Sequence, residues 1–186
     1  MLHFTAWGII CGAETPEGQS CGLVKNMTLL CHVRVGSPSS FIAYQLDNSD
    51  IGKLMHNIYA DPEIRAVSVD LKINGIIYAY VKYEDKMTVM TSIRKQRRTG
   101  LLPFDISVAC IDQTIHVGSD AGCLCRPLFV LPFSASMTAN WSEAVRKGHI
   151  EYIDKMEEEE LCIAMTPKDV QEKHTHCEIH PSTING

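Results

Sequence analysis

Residues 66–82, AVSVDLKINGIIYAYVK, carry the clearest secondary-structure signal in this chain of 186 residues. Val67, Val69, Leu71 and Ile73 alternate with polar residues, which is the pattern of a strand with one buried face. The next two residues are Asn-Gly, a pair that favours a type I′ turn, and β-branched and aromatic residues follow it. The stretch therefore predicts a β-hairpin.

Helices are predicted on both sides of this hairpin. Downstream, residues 84–99 begin with acidic residues and end with basic ones before a glycine, which is the charge order that a helix dipole favours. The basic run at residues 93–98 fits a solvated helix end, which we favour, or a contact with phosphate. Upstream, Ser49 can cap an amphipathic helix, whereas residues 36–40 predict a loop.

The C-terminal half reads mainly as β structure. Residues 105–132 predict successive strands with a turn at Asp112-Gln113, and Ser142 can cap a short helix that ends at Gly148. We therefore expect an α+β fold, mostly antiparallel sheet with two or three short helices.

The last third of the chain predicts one more pair of strands. Residues 151–154 and 161–167 are read as an antiparallel pair, joined by an acidic run at residues 157–160 that we interpret as an exposed turn. Thr166-Pro167 start one helical turn. The tail after it, HTHCEIHPSTING, shows no element of its own.

Composition restricts the class of protein. The chain is 45% hydrophobic with a formal net charge of −5, so it can bury a core and has no global attraction to nucleic acid. No apolar run reaches the roughly 20 residues of a membrane-spanning helix, and we expect no membrane partner. No GxSxG elbow, GxxxxGK[ST] loop or DxDxD cluster is present, so no active centre can be built from this chain alone.

The eight cysteines show no regular disulfide framework, and we expect most of them to be reduced and buried. A zinc-stabilised binding module remains an alternative, although neither spacing of a structural zinc site is present. Its ligands would come from Cys123, Cys125, His174, His176, Cys177 and His180.

The stretch WGIICGAETPEGQSCGLVKN, residues 7–26, predicts a shaped loop. Pro16 fixes its own φ, Gly18 permits a positive φ, and Gly22 allows close approach of another backbone. A tight surface turn explains this pattern, and so does a loop that contacts a ligand or another chain.

Four stretches together resemble one known family. WGIICGAETPEGQSCGLVKN, SDAGCLCRPL, EYIDKMEEEELCIAMTPKDVQ and HTHCEIHPSTING occur in the same order in the middle of the second-largest subunit of eukaryotic RNA polymerase II, which this chain resembles. The resemblance implies a fragment of a larger, multidomain nuclear subunit. It implies four parts: the end of the fork with an active-centre loop (1–36), a helix-hairpin-helix unit of the external region (37–100), a second β-rich external unit (101–173) and the start of the hybrid-binding region (174–186).

The resemblance also implies a role in templated nucleotidyl transfer. In the family this segment is scaffold and channel wall, the catalytic Mg²⁺ ligands lie elsewhere, and the fragment itself binds no metal and is inactive alone. The partners implied are the largest subunit, other polymerase subunits, the DNA template and the RNA–DNA hybrid. The residues implied to face the nucleic acid and active centre are Glu14, Thr15, Pro16, Glu17, Gly18, Gln19, Lys25, Asn26, His180 and Pro181.

Some positions depart from the family pattern. Gly12 stands where the family usually has proline, and Cys123 stands where it usually has arginine. These departures favour a divergent lineage or a viral homologue, which would share the mechanism but act in the cytoplasm.

Overall fold

The computed structural model describes residues 3–57, 62–132 and 140–179. These residues have the predicted α+β class, with two sheets and short helices. The α-helices are Ser39–Asp47 (α1), Pro62–Ala66 (α2), Lys86–Arg98 (α3), Trp141–Arg146 (α4) and Lys155–Glu158 (α5). The strands are His32–Val33 (β1), Met55–Asn57 (β2), Ser68–Ile73 (β3), Ile76–Lys82 (β4), Ser107–Ile111 (β5), Thr114–Gly118 (β6), Leu124–Val130 (β7), Ile150–Asp154 (β8), Ile163–Ala164 (β9) and His176–Cys177 (β10).

The first sheet is built around the predicted hairpin. Its strands lie in the order β2-β4-β3-β6-β5, and β3 pairs with β4 from Ser68↔Lys82 to Ile73↔Ile76. Asn74 and Gly75 have φ of 51° and 82°, as a type I′ turn requires. The pairing of β3 with β6 is parallel, whereas the other pairings in this sheet are antiparallel. The hairpin prediction is therefore confirmed.

Two helices cover the first sheet. Ile42 of α1 and Met90 and Ile93 of α3 are at most 1% exposed and pack in one cluster with strand residues such as Leu71 and Ile115. Removal of apolar side chains from water is the main favourable contribution to the free energy of folding. The α3 prediction is confirmed.

The segment before the hairpin differs from the prediction. Residues 39–47, read partly as a loop, form α1, which starts after Pro38 without a side-chain cap. The helix predicted after Ser49 is instead a 3₁₀ helix, Asp50–Leu54, followed by β2. The Ser49 hydroxyl donates to the Leu46 carbonyl, 2.6 Å away, so it closes the end of α1 rather than capping the next helix.

The second sheet is built around β7. This strand pairs antiparallel with β1, β8 and β10, and β10 pairs parallel with β9. The predicted antiparallel pair of residues 151–154 and 161–167 is therefore wrong, because β9 lies beside β10. The tail, predicted to have no element, supplies that strand. Its pairing partners are far away in the sequence, so the tail shows no local β signal.

The acidic run forms the exposed turn that the sequence predicted only at Glu159 and Glu160, because Glu157 and Glu158 belong to α5. Asp154 caps α5 by accepting a hydrogen bond from the Glu157 amide at 2.9 Å. Glu157 is fully buried, and α5 packs against β5 of the first sheet. In α4 the cap is Asn140, whose side chain accepts from the Ser142 amide, rather than Ser142 itself.

Buried charges join the two sheets. The Arg97 guanidinium contacts Glu157 at 2.7 Å and Glu151 at 3.0 Å, and Arg97 is 3% exposed. We call this network the ionic seam. It consists of Arg94, Arg97 and Arg98 of α3, Glu151 of β8, Glu157 of α5, Glu160 and His176 of β10. The basic run of α3 is therefore an internal connection, not the solvated helix end that the sequence favoured.

The ionic seam also covers the edge of the first sheet. β5 is the outermost strand there, and its Val108 amide donates to Glu157 at 3.1 Å while its Cys110 amide donates to Glu160. The Val108 carbonyl accepts from Arg94 at 2.8 Å. An uncovered edge strand is a template for pairing with another chain. Carboxylates and guanidinium groups take the place of a neighbouring strand.

Among the described residues, none of the helices combines the length and the apolar character that crossing a membrane requires.

Candidate functional site

The predicted site is a loop whose two ends are hydrogen-bonded to each other. Ile10 and Met27 form a β-bridge, and the Cys11 amide donates to the Asn26 carbonyl at 2.8 Å. Inside the loop, the Thr15 hydroxyl accepts from the Gly22 amide at 2.8 Å. These bonds give residues 11–26 a defined path without burying them.

Glycine is required at two positions in this loop. Gly18 and Gly22 have φ of 86° and 76°, in the left-handed region that other residues adopt at a cost. A short 3₁₀ helix, Gly18–Ser20, lies between them. A Cβ at either glycine would meet no atom within 4 Å, so the requirement comes from the backbone and not from crowding.

The structure brings most of the predicted site residues together on this loop. Glu14, Thr15, Glu17, Gly18, Gln19 and Lys25 are exposed, and Pro16 and Asn26 are partly exposed. The Asn26 side chain reaches back to the Glu14 carbonyl at 3.5 Å. The other two predicted residues, His180 and Pro181, lie outside the described residues.

Exposed apolar side chains continue from the loop. Leu23, Leu29 and Val35 are 78%, 104% and 80% exposed. Exposed apolar side chains that form one patch mark interaction sites in soluble proteins. The exposed apolar residues of the loop and of the segment after it make this part of the chain a candidate for contact with another chain or segment.

An arginine that the sequence analysis passed over anchors the start of the chain. Arg126 of β7 is 3% exposed and forms ion pairs with Glu158 at 2.7 Å and Glu178 at 2.6 Å. A Cβ on Gly8 would lie 2.6 Å from the Arg126 Cδ, so the N-terminal segment packs directly over this side chain. An arginine inside an apolar strand was the signal available in the sequence, but its partners lie 32 and 52 residues away.

The described residues of the zinc alternative do not come together, and His180 lies outside the described residues. Cys125 donates to the His32 carbonyl, Cys123 contacts Asp154, and the His176 Nε2 lies 2.8 Å from Glu151. The His174 ring accepts from the Gln171 amide. Within residues 3–57, 62–132 and 140–179, no group of three or more His, Cys, Asp or Glu side chains is arranged to hold a metal ion. The zinc module therefore has no support.

The cysteines are less buried than predicted. All eight are free thiols, but only Cys125 and Cys177 are buried, and Cys21 is exposed. Burial raises the pKa of Cys125 to about 12 and that of Cys177 above its usual value. Both of these buried thiols are therefore uncharged at neutral pH and do not act as nucleophiles.

Comparison with known proteins gives three matches to consecutive domains of one family. Residues 1–33 match RNA polymerase Rpb2, domain 3, residues 72–132 match domain 4, and residues 141–181 match domain 5. The exposed loop belongs to the first match, and the ionic seam joins elements of the second and third.

Curated relatives align with the whole chain. It is 34% identical to the DNA-directed RNA polymerase subunit Rpo2 of Sulfolobus acidocaldarius and 33% identical to the DNA-directed RNA polymerase II subunit RPB2 of Encephalitozoon cuniculi. It is 29% identical to the DNA-directed RNA polymerase III subunit RPC2 of Saccharomyces cerevisiae. The chain spans 17–18% of the length of these relatives.

These similarities do not separate the archaeal, polymerase II and polymerase III subunits, because their identities to the chain are nearly equal. The three domain matches belong to one family and follow each other along the chain in the order 3, 4 and 5. The chain belongs to the second-largest-subunit family of RNA polymerases and corresponds to its domains 3 to 5.

Proposed function

We propose that this chain supports template-directed RNA synthesis as a scaffold and channel wall within a DNA-directed RNA polymerase. The observation that carries the proposal is the ordered match to three consecutive domains of one subunit family. The exposed loop at residues 11–26 adds support, because its backbone is held in place while the side chains of Glu14, Glu17, Gln19 and Lys25 are exposed.

The proposed division of labour follows from the side chains present. Template-directed nucleotidyl transfer joins the RNA 3′-hydroxyl to the α-phosphate of a ribonucleotide, and Mg²⁺, when bound, stabilises the attacking and leaving oxygens. The described residues do not fit a metal centre. We therefore assign no chemical step to this chain and propose that it positions and encloses the nucleic acid.

Within the proposed role, the loop faces the active centre. Its residues offer a nucleic acid amide groups from Gln19 and Asn26, a cation from Lys25 and little side-chain bulk at Gly18 and Gly22, beside the carboxylates of Glu14 and Glu17. Thr15 fixes the loop conformation through Gly22 and would act by positioning rather than by contact. The proposal also includes the predicted division of the chain into four parts, residues 1–36, 37–100, 101–173 and 174–186.

The class of polymerase stays a prediction. We propose a nuclear enzyme of the polymerase II type that acts with the largest subunit, on the basis of the resemblance of residues 7–26. The relatives named above are archaeal and eukaryotic, so the alternative of a viral homologue gains no support from them.

Affinity purification of the tagged protein from its native cells tests this function. We expect the largest polymerase subunit to co-purify, and we expect the purified assembly to incorporate ribonucleotides on a DNA template. The companion subunits, identified by mass spectrometry, would separate polymerase II from the other classes. A protein that purifies without any polymerase subunit would contradict the proposal.

A further inference from the structure

A buried arginine in β7 is held by two carboxylates from other parts of the chain. Arg126 donates to Glu158 of α5 at 2.7 and 3.3 Å, and to Glu178, which follows β10, at 2.6 and 2.7 Å. Each carboxylate thus accepts two hydrogen bonds from one planar guanidinium group, a geometry that fixes the position of the arginine side chain. We call these three side chains the Arg126 clamp.

The Arg126 clamp lies directly against Gly8. Gly8 has φ of 72°, and a Cβ there would lie 2.6 Å from the Arg126 Cδ and 3.2 Å from its Nε. The Gly8 carbonyl accepts from the Thr28 hydroxyl at 2.6 Å, and the Thr28 amide donates to the Ile9 carbonyl at 3.0 Å. The residues that flank the loop of residues 11–26 on its two sides are therefore joined to each other beside Arg126.

The two ends of this loop are attached to the second sheet in different ways. After the loop, the chain enters β1, which pairs with β7 at His32↔Cys125 and Val33↔Leu124. Before the loop, none of residues 3–10 belongs to a strand of either described sheet, and the β-bridge of Ile10 reaches Met27. The packing of Gly8 against Arg126 therefore connects the start of the loop to β7 in place of a paired strand.

The polar contacts of the loop itself do not reach the second sheet. In the part of the chain that the structure describes, every hydrogen bond of residues 11–26 stays inside that range, as does the bond between Cys11 and Asn26. The orientation of the loop relative to β7 is thus set at its ends.

We propose that Arg126 is a positioning residue for the loop of residues 11–26. Held by Glu158 and Glu178, it supports Gly8 and so sets the angle at which the loop leaves the second sheet. Any change that loosens the Arg126 clamp should therefore loosen the base of the loop, about 100 residues away in the sequence. The proposal rests on the proposed function in one respect, because the position of the loop matters for RNA synthesis only if the loop faces the nucleic acid.

Hydrogen exchange of single amides, followed by NMR in the 186-residue chain, tests this role. The amides of Cys11 and Thr28 bond across the base of the loop, so they exchange when this part of the chain opens locally. Arg126→Lys keeps the positive charge but loses the planar fork that two carboxylates hold. We expect the Cys11 and Thr28 amides to exchange about tenfold faster in this variant.

Arg97→Lys is the matched control. Arg97 is also 3% exposed and is also held by two carboxylates, but its hydrogen bonds go to Glu151, Glu157 and the Ile106 carbonyl. We expect this variant to speed exchange in β3 and β4, whose amides report global unfolding, and to leave the Cys11 and Thr28 amides within about twofold of the unaltered chain. A merely structural role for Arg126 would instead give both lysine variants the same pattern.

Two further variants keep the test decisive if Arg126→Lys does not fold. Glu178→Gln removes one charge of the Arg126 clamp, and Gly8→Ala presses a methyl group against the Arg126 Cδ. Each should speed exchange of the Cys11 and Thr28 amides by about threefold or more. Unchanged exchange of these two amides in both variants would overturn the positioning role.

The positioning role and the proposed function can fail separately. In the assembled polymerase we expect Arg126→Lys to slow RNA chain elongation. Faster exchange at the base of the loop with unchanged elongation would keep Arg126 as a positioning residue and contradict the role of the loop in RNA synthesis. Equal exchange of the Cys11 and Thr28 amides in Arg126→Lys and Arg97→Lys would overturn the positioning role, whichever subunits co-purify with the chain.

Discussion

Two charged regions of this chain have opposite physical roles. In the ionic seam, Arg97 and Glu157 are buried and each forms hydrogen bonds with its neighbours. In the loop, Glu14, Glu17 and Lys25 are exposed, and the loop is held by backbone bonds and by the side chains of Thr15 and Asn26. The sequence predicted exposed charges in both regions, because it read the charged runs of the seam as a solvated helix end and an exposed turn. Only the fold decides which charges stabilise the structure and which stay available to a partner.

The difference lies in desolvation. Removing one partner of a buried ion pair leaves an uncompensated charge in a poorly polarisable interior. This lowers the free energy of unfolding by several kcal/mol. Removing an exposed charge typically costs less than about 1 kcal/mol. The comparison therefore predicts that substitutions in the seam unfold the chain, whereas substitutions in the loop leave the fold intact.

The largest effect is expected from Arg97→Met. This variant leaves Glu151 and Glu157 without their buried partner, and we expect a loss of about 3–5 kcal/mol in the free energy of unfolding. Arg98→Met is the matched control, because the Arg98 side chain is 38% exposed and contacts only Glu151 within the seam. Urea denaturation measures both. Equal losses in the two variants would show that burial of the seam does not matter.

The second-largest effect is expected from acid, which should weaken the ionic seam. Burial opposes ionisation of Glu151, but the charge of Arg97 and the hydrogen bonds from His176 and Arg98 outweigh it and hold the pKa of Glu151 well below its usual value. A carboxylate whose pKa is lowered by folding contributes stability above its unfolded pKa, which is about 4.3. That stability is lost as the pH falls through the folded pKa.

Urea midpoints measured from neutral pH down to pH 3 test this expectation. We expect the unaltered chain to lose stability increasingly below about pH 4.5. Glu151→Gln should have lower stability at neutral pH and a shallower decline in acid. An identical pH profile in both proteins would contradict the role of Glu151.

A smaller effect is expected where the segment after β1 packs against the loop after β6. Gly36 has φ of 92°, and a Cβ there would lie 2.8 Å from the Ala121 amide nitrogen. Gly36→Ala should cost about 2 kcal/mol, from backbone strain and crowding together. Gly75→Ala is the control, because Gly75 has φ of 82° but open space at its Cβ. A cost for Gly36→Ala no larger than that for Gly75→Ala would show that Ala121 does not crowd this site.

The local parts of this fold could be predicted from the sequence, and the non-local parts could not. Asn74-Gly75 specifies its turn from two residues, and α3 follows from its own charge order and apolar spacing. The Arg97–Glu157 pair joins residues 60 positions apart, and no local pattern indicates it. The same holds for β10, a strand of two residues that pairs with β7 and β9 from other parts of the chain.

The candidate site was predictable as a loop because glycine and proline act locally. The positions of Pro16, Gly18 and Gly22 indicated its shape, and the structure places every predicted site residue that it describes on this one loop. That Gly22 and Lys25 of the loop line one pocket together with Lys155 was not predictable, because these residues are far apart in the sequence.

The most direct test of this account combines stability with transcription for Glu17→Ala/Gln19→Ala, placed in the second-largest subunit of an assembled polymerase. Both side chains are exposed and lie on the loop. We expect the free energy of unfolding of the 186-residue chain to change by less than about 0.5 kcal/mol, while the rate of RNA chain elongation falls. Unchanged elongation with unchanged stability would contradict the assignment of this loop as a functional wall.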